Sequence, residues 1–275
     1  MANQLLIWHL IVSHNLRFTL PIWRVLYDSI PTPDTQNILV LELRNETKVE
    51  WSAVDTDTCQ VVWQHAFAET DWWTSLIGFY AGKILLHAYA GKEQPAPKQL
   101  LAIDVLSGKI SWSLQGCKFE QTDGITLQTT RMHTEHPLIL EHWSLSDGQT
   151  TTSPLLPLIQ ESPFWKFPAL HQETSPYYSV IRQFIQKTTN KTPQKAINYG
   201  EIAGHILFFQ YLYPANAITL SRSILVVNST KAVLLNETID SDIDSTAFGD
   251  CFYSEHQIIY LKKLDELVVL KLPRP

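Results

Sequence analysis

The stretch Leu101-Ala-Ile-Asp-Val-Leu-Ser-Gly-Lys-Ile-Ser-Trp112 repeats, 49 residues later, the pattern of Ala53-Val54-Asp55 leading to Trp63. Both segments read as a small residue, an apolar residue, an aspartate, a polar turn, a short β-rich run and a tryptophan, with the same interval from aspartate to tryptophan. A period of this size with strand-turn-strand content is typical of a β-propeller. We therefore predict an all-β fold: one small propeller of five or six four-stranded blades, spanning residues 1–275.

The composition suits a sheet protein and excludes some partners. Apolar residues make up 45% of the chain, aromatic residues 11% and charged residues 17%. The net charge of −6 disfavours non-specific binding to nucleic acid, which requires a basic surface. No block of like charge indicates a polybasic membrane anchor. Partners are thus expected to be a protein or a small molecule, not nucleic acid.

The cysteines and the N-terminal segment favour a cytoplasmic protein. Cys59, Cys117 and Cys251 are widely spaced, odd in number and outside any zinc-binding spacing, which fits a reducing compartment. The apolar segment Leu5–Val12 is too short to span a bilayer and has no basic residue before it. We expect a strand there rather than a signal peptide.

Alternating β-branched and aromatic residues recur along the chain and predict strands almost throughout. The rhythm breaks at Ser153–Pro168, which carries four prolines and is unsuitable for a central strand. Ser175-Pro176 resembles a helix start, and apolar residues follow it at helical spacing. The sequence predicts one helix near 176–188 within an insertion at about 153–198, a polar loop over Ile239–Ser245, and strands resuming at His205.

The segment Leu101–Trp112 resembles the repeat of quinoprotein-type propellers: apolar-Ala-apolar-Asp, a short turn, Gly-Lys and then Trp. The segment from Ala53 to Trp63 is similar, with Cys59 in place of the glycine. Pro21-Ile22-Trp23-Arg24, Trp72-Trp73 and Asp250-Cys251-Phe252 also resemble an uncharacterised bacterial family of about this length, which implies no activity.

The resemblance implies architectural roles for four residues. In such repeats the tryptophan docks between blades and its N–H finds a carbonyl, while the aspartate caps the turn. We therefore expect Asp55, Trp63, Asp104 and Trp112 to be structural. No quinone cofactor is expected, because the chain lacks the vicinal Cys-Cys pair of the quinoprotein dehydrogenases.

Two clusters of acidic or histidine residues have spacings close to those of metal sites. Asp240, Asp242 and Asp244 are spaced like the start of a calcium loop, but the glycine and glutamate that such loops require are missing. His133 and His136 lie at i and i+3, unlike the i and i+4 pair of a zinc helix. We therefore expect the three aspartates to lie in a solvated acidic loop and the two histidines in a polar loop, with no metal bound at either place.

Exposed aromatic residues are the best candidates for a ligand or partner surface. Trp72 and Trp73 are adjacent, and because adjacent residues in a strand point to opposite faces, one ring is available for binding. Phe164 and Trp165, in the proline-rich break, form the alternative patch. The alternative interpretation is that these rings pack within the fold and do not bind a ligand or partner.

The sequence contains no nucleophile elbow, no Walker loop and no dinucleotide fingerprint. We therefore predict a non-catalytic scaffold or binding module. The alternative is a carboxylate-based hydrolase or lyase at the mouth of the central channel, built for example from Asp28, Glu42 and Asp71. A third hypothesis is an exported envelope protein.

Overall fold

The computed structural model describes residues 11–91, 94–131, 139–157, 164–213, 218–243 and 251–273. The elements in chain order are β1 (Val12–Arg17), β2 (Ile22–Tyr27), β3 (Ile38–Arg44), β4 (Val49–Asp55), β5 (Gln60–His65), β6 (Thr74–Tyr80), β7 (Lys83–Gly91), β8 (Gln94–Asp104), β9 (Lys109–Gln115), β10 (Cys117–Thr122), β11 (Thr126–Arg131), β12 (Ile139–Ser144), β13 (Ala169–Gln172), α1 (Tyr178–Thr189), β14 (Gln194–Ile202), β15 (His205–Leu212), β16 (Leu220–Asn228), β17 (Val233–Ile243), β18 (Cys251–Tyr253), β19 (Gln257–Lys262) and β20 (Glu266–Lys271).

The prediction of an all-β chain is confirmed. The described strands form five antiparallel sheets, and α1 is the one α-helix in the described ranges. We number the sheets along the chain: the first holds β2–β5, the second β6–β9, the third β10–β12, the fourth β13–β17, and the fifth holds β18–β20 with β1 at its edge.

The chain divides into two compact units. One unit, Phe18–Pro163, contains the first three sheets. The other, Met1–Arg17 with Phe164–Pro275, contains the fourth and fifth sheets and α1.

The core of the first unit lies between successive sheets. Val40 and Trp51 of the first sheet pack with Leu76 and Leu86 of the second in one buried cluster. A second cluster joins the second and third sheets; it contains Leu85, Leu100, Ala102, Trp112, Leu114, Cys117, Leu127 and Leu145. The second sheet is therefore buried on both faces, one in each cluster. The first sheet is also buried on its other face, where Leu39 and Leu41 of β3 are fully buried.

In the second unit the fourth and fifth sheets pack face to face. Phe209 and Val226 of the fourth sheet contact Tyr260 and Val268 of the fifth in a shared cluster. The opposite face of the fourth sheet carries α1, whose Ile185 packs with Ile197, Phe208, Leu225 and Val227. The helix therefore covers part of this face, over residues of β14, β15 and β16.

The first strand in the described ranges begins at the last residue of the predicted strand Leu5–Val12. β1 occupies Val12–Arg17 and pairs antiparallel with β20, from Val12 opposite Lys271 to Arg17 opposite Glu266. The predicted strand Leu5–Val12 falls mostly outside the described residues. The edge strand β1 of the fifth sheet thus comes from the N-terminal part of the chain, whereas β18, β19 and β20 come from the C-terminal part.

The predicted insertion at 153–198 is wrong in its extent. The helix spans Tyr178–Thr189, close to prediction, but β13 precedes it and β14 begins at Gln194, so both flanks belong to the fourth sheet. The pairing of β14 with β15 shifts between Gln194 and Ile197, and Lys195 has a positive φ of 65°. This irregularity breaks the alternation that identifies a strand in sequence.

The predicted polar loop over Ile239–Ser245 is also wrong where the structure describes it. β17 continues to Ile243, opposite Leu220 of β16. Two register shifts near Asp240 and a φ of 58° at Asp242 disturb the strand pattern without ending the strand.

Candidate functional site

The two repeat tryptophans occupy equivalent places on neighbouring sheets. The indole N–H of Trp63, on β5, donates to the carbonyl of Val105 at 2.7 Å. The indole N–H of Trp112, on β9, donates to the carbonyl of Leu145 at 2.9 Å. In each case the acceptor is the residue just after the third strand of the next sheet. Each ring thus joins the outer strand of one sheet to the turn of the following sheet.

The turn beneath each ring has a glycine in the left-handed conformation. Gly108 has φ 65° and Gly148 has φ 69°. A Cβ on Gly108 would lie 2.8 Å from the ring of Trp63, and a Cβ on Gly148 would lie 2.7 Å from the ring of Trp112. Cys59, which stands in place of the repeat glycine, adopts the same conformation with φ 55°.

The repeat aspartates hold these turns through backbone N–H groups. Asp55 accepts from the N–H of Asp57 at 2.8 Å. Asp104 accepts from the N–H of Ser107 at 2.9 Å and pairs with Lys83 at 3.1 Å. The pKa of Asp104 is lowered, because these donors outweigh the effect of its partial burial.

A β-bulge precedes each repeat tryptophan. Val62 lies unpaired between the pairs Val54–Val61 and Ala53–Trp63, and Ser111 lies unpaired between the pairs Ile103–Ile110 and Ala102–Trp112. A bulge reorients the side chain that follows it. The alternation of residues in the sequence does not predict these bulges. Both lie within the aspartate-to-tryptophan interval, which has the same length in the two repeats.

Two buried polar side chains make a second kind of joint between sheets. Glu42, on β3, accepts from the N–H of Leu76 on β6 at 2.7 Å. His87, on β7, accepts through Nε2 from the N–H of Phe119 on β10 at 2.9 Å. Both side chains lie on the second strand of one sheet and bind the first strand of the next.

Trp72 belongs to the joint that Glu42 makes. Arg44 pairs with Glu42 at 2.9 Å, lies 5.0 Å from the centroid of the Trp72 ring and donates to the Trp72 carbonyl at 2.8 Å. The indole N–H of Trp72 donates to the carbonyl of Asn45 at 2.8 Å. Trp72 is therefore engaged within the fold on both its ring and its N–H.

Trp73 and Trp23 are the exposed indoles nearby. Trp73 packs edge-to-face on Trp72 and is 37% exposed. Trp23, which was not predicted as a site residue, is 66% exposed and is the bulged residue of β2. The next residue, Arg24, donates to the carbonyl of Leu76 on β6.

Trp23 and Trp73 lie at the starts of the first strands of two successive sheets: Trp23 is the second residue of β2, and Trp73 directly precedes β6. Arg24, near the start of β2, contacts Leu76, near the start of β6. The N–H of Ser29, two residues past the end of β2, donates to the carbonyl of Phe79, near the end of β6, at 2.9 Å. β2 and β6 therefore run in the same direction. We call Trp23 and Trp73 the indole pair.

The second predicted aromatic patch is wrong for Trp165, which is only 2% exposed. Its ring packs edge-to-face on Phe252 with centroids 5.1 Å apart. Lys166 pairs with Tyr253 through two backbone hydrogen bonds of 2.8 Å, which fixes the segment at the edge of the fifth sheet. Phe164 is half-buried against Trp165.

The three carboxylates considered for hydrolysis have separate partners. Asp28 accepts from the backbone N–H groups of Ile30, Ala81 and Gly82 and from the hydroxyl of Thr35, at 2.7–2.9 Å. Burial raises the pKa of Asp28, and these four donors oppose the rise.

Asp71 accepts from the N–H of Trp73 at 2.9 Å within an exposed turn, and Glu42 is held by Arg44 and Leu76. The described contacts do not bring these three carboxylates together.

The acidic metal candidates are also engaged. Asp240 pairs with Arg222 at 2.7 Å, and Asp242 accepts from the hydroxyl of Thr219 at 3.0 Å. Asp244, like His133 and His136, lies outside the described residues. Among the residues that the structure describes, no three His, Cys, Asp or Glu side chains form a group that could hold a metal.

No helix in the described ranges is both long and apolar enough to cross a membrane. Comparison with known sequences gives one partial match: a family model described as a domain of unknown function, DUF4905, matches residues 33–112. That span contains both Asp–Trp repeats. No curated protein matches the chain.

The solved structures that are similar to this chain at low identity include the following three. An uncharacterised protein from Listeria monocytogenes EGD-e is 10% identical, with 93% of this chain and 85% of that chain covered and a TM-score of 0.33. A member of the DUF4221 family from Bacteroides vulgatus is 11% identical, with coverages of 94% and 97% and a TM-score of 0.28. The Dos1 propeller is 10% identical, with coverages of 92% and 56% and a TM-score of 0.31.

Proposed function

We propose that residues 1–275 form a single five-bladed β-propeller in which each sheet is one blade, and that it serves as a non-catalytic scaffold or binding module. In a propeller, each blade packs its faces on its neighbours around a central axis. The proposal assigns structural roles to Asp55, Trp63, Asp104 and Trp112 as the joints between blades. It assigns binding to the indole pair.

A repeated backbone contact carries the architectural part of the proposal. In four of the sheets, the residue after the third strand donates its N–H to the carbonyl of the residue before the second strand. The four contacts are Thr56 to Asn37, Val105 to Gly82, Leu145 to Ile125 and Leu272 to His256, at 2.8–3.0 Å. Sheets that share this contact in both units of the chain are the repeated modules that a propeller requires.

The pairing of β1 with β20 supports closure of the ring. Propellers that complete their last blade with a strand from the other end of the chain leave no open sheet edge at the seam. The fifth sheet fits this arrangement, since β1 and β18 are its two edge strands and β1 comes from the other end of the chain.

The exposure of Trp23 carries the functional part. A bulge on the first strand of a sheet holds this large apolar ring in solvent, which a purely structural residue does not require. Tryptophan is enriched where proteins bind partners, because one ring buries a large area. Trp73, the residue just before the first strand of the next sheet, is 37% exposed and is the second residue of the proposed binding surface.

The binding proposal is tested with affinity capture followed by titration of each purified candidate partner. We expect Trp23→Ala and Trp73→Ala to weaken binding at least about tenfold, as hot-spot truncations do. Tyr177→Ala is the matched control, because Tyr177 is a comparably exposed aromatic residue, at 64%, in the other unit. Equal affinities for all three variants and the wild type would exclude the indole pair.

The carboxylate-enzyme alternative has less support. Asp28 is bound by four donors, Glu42 is paired with Arg44, and Asp71 caps a turn. We also propose a cytoplasmic location, on the basis of the three dispersed cysteines. A processed N-terminus in the protein isolated from its native host would contradict that location.

A further inference from the structure

Two buried polar side chains in the fourth sheet have no hydrogen-bond partner among the described residues. They are Gln210 on β15 and Ser223 on β16, both 0% exposed. The orphaned atoms are Nε2 and Oε1 of Gln210 and Oγ of Ser223. Buried polar atoms are nearly always paired, because an unpaired one loses its hydration without compensation.

The two residues are direct neighbours in the sheet. Gln210 stands opposite Ser223 in the antiparallel register, so both side chains lie on the same face about 5 Å apart at Cβ. Ile197 of β14 lies opposite Gln210 on the other side. The alternation along the strands places the pair on the face that carries Phe208, Leu225 and α1.

The surroundings explain why neither side chain finds another protein group. Ile197, Phe208 and Leu225 are apolar and fully or almost fully buried. Thr238, which stands opposite Ser223 on β17, is exposed, so the row of paired residues leads from solvent at the sheet edge to Gln210.

We propose that Gln210 and Ser223 form a buried solvent site that holds one ordered water on the face of the fourth sheet that carries α1. The amide NH₂ of Gln210 donates to the water oxygen, and the water donates to Oε1 of Gln210 and to Oγ of Ser223. A buried water makes about three hydrogen bonds of this kind, and polar sites in proteins hold such waters while apolar cavities stay empty. The water is a structural ligand and is independent of the binding proposed for the indole pair.

The direct test is a crystal structure of the full chain at a resolution that shows ordered solvent. We expect a well-ordered water within hydrogen-bonding distance of both side chains. A direct hydrogen bond between Gln210 and Ser223, with no solvent beside them, would overturn the proposal.

A thermal-unfolding cycle provides the second test. We expect Ser223→Ala and Gln210→Met each to lower Tm, because each leaves the other residue with an incomplete set of partners. The double variant should melt above the value that addition of the two losses predicts, since it removes all the orphaned atoms together. Thr238→Ala, at the exposed end of the row, is the control and should leave Tm unchanged. Strictly additive losses would contradict a shared water.

Discussion

The ring of Trp63 lies directly on Gly108: a Cβ at that glycine would come within 2.8 Å of the indole. The same relationship links Trp112 and Gly148 on the next pair of sheets, at 2.7 Å. The glycine of each turn therefore has two independent functions, since it adopts a positive φ and it leaves room for the ring. This double requirement separates it from an ordinary turn glycine.

Gly108→Ala and Gly148→Ala should therefore be more destabilising than alanine at another glycine of similar φ. Gly116 is the matched control, because its φ is 63° and nothing lies within 4 Å of a Cβ there. We expect a loss of about 1 kcal/mol for Gly116→Ala and roughly 2–4 kcal/mol for the other two in urea unfolding. Equal losses at the three positions would mean that the rings move aside freely.

The docked indoles of Trp63 and Trp112 should stabilise the fold through their buried rings and their N–H groups together. Trp63→Phe and Trp112→Phe keep an aromatic ring but leave the carbonyls of Val105 and Leu145 without their donors. We expect each to lower the free energy of unfolding by roughly 1–3 kcal/mol. Trp23→Phe, at an exposed ring, should change it by less than about 0.5 kcal/mol. A similar small effect at all three positions would show that the indole hydrogen bonds are not stabilising.

The repeat motif was the informative part of the sequence because it is short and local. The motif from Asp104 to Trp112 predicts the turn and the docked position of the ring, whereas the bulge at Ser111 is evident only in the structure. The motif predicts only that each indole N–H binds a backbone carbonyl. It does not identify Val105 or Leu145 as the acceptors, because they lie far along the chain from the donors.

The parts that the sequence did not predict depend on contacts between distant residues. Trp23 is exposed because of a bulge in β2, and Trp165 is buried because its segment pairs with Tyr253 far along the chain. Neither effect leaves a local pattern. β14 was missed for a related reason, since Lys195 interrupts its alternation.

His87 should make stability depend on pH. Burial, with a smaller effect of Lys118, lowers the pKa of His87 from 6.5 to about 4. Below pH 6.5 the unfolded chain binds a proton that the folded chain does not bind until about pH 4. The contribution of His87 to the free energy of unfolding is therefore fully present above pH 6.5 and is lost as the pH falls from 6.5 to about 4. The full difference corresponds to about 3 kcal/mol.

Urea unfolding at about pH 4.5 and pH 7 measures this dependence. His87→Gln keeps an acceptor for the N–H of Phe119 but does not titrate. The variant should lose less stability between the two pH values than the wild type does. An unchanged difference would assign the pH dependence to other groups.

The buried carboxylate of Asp28 should be a structural residue and not a catalytic one. Asp28→Asn replaces one acceptor oxygen by an NH₂ group facing the donors of Thr35 and Gly82. We expect a loss of roughly 1–3 kcal/mol in the free energy of unfolding. Asp147→Asn, at an exposed turn carboxylate that accepts from Gln149, should have little effect. Full stability of Asp28→Asn would reopen a functional role for this group.

The closed ring is tested most directly by deleting β1 and measuring hydrogen exchange sheet by sheet. If β1 closes a single propeller, deletion of residues 1–17 should lower protection in the fourth and fifth sheets and also in the first three, which form the other compact unit. The Arg17→Ala variant, which removes only the exposed partner of Glu266, is the control. Loss of protection confined to the fourth and fifth sheets, with the first three unchanged, would contradict the closed ring.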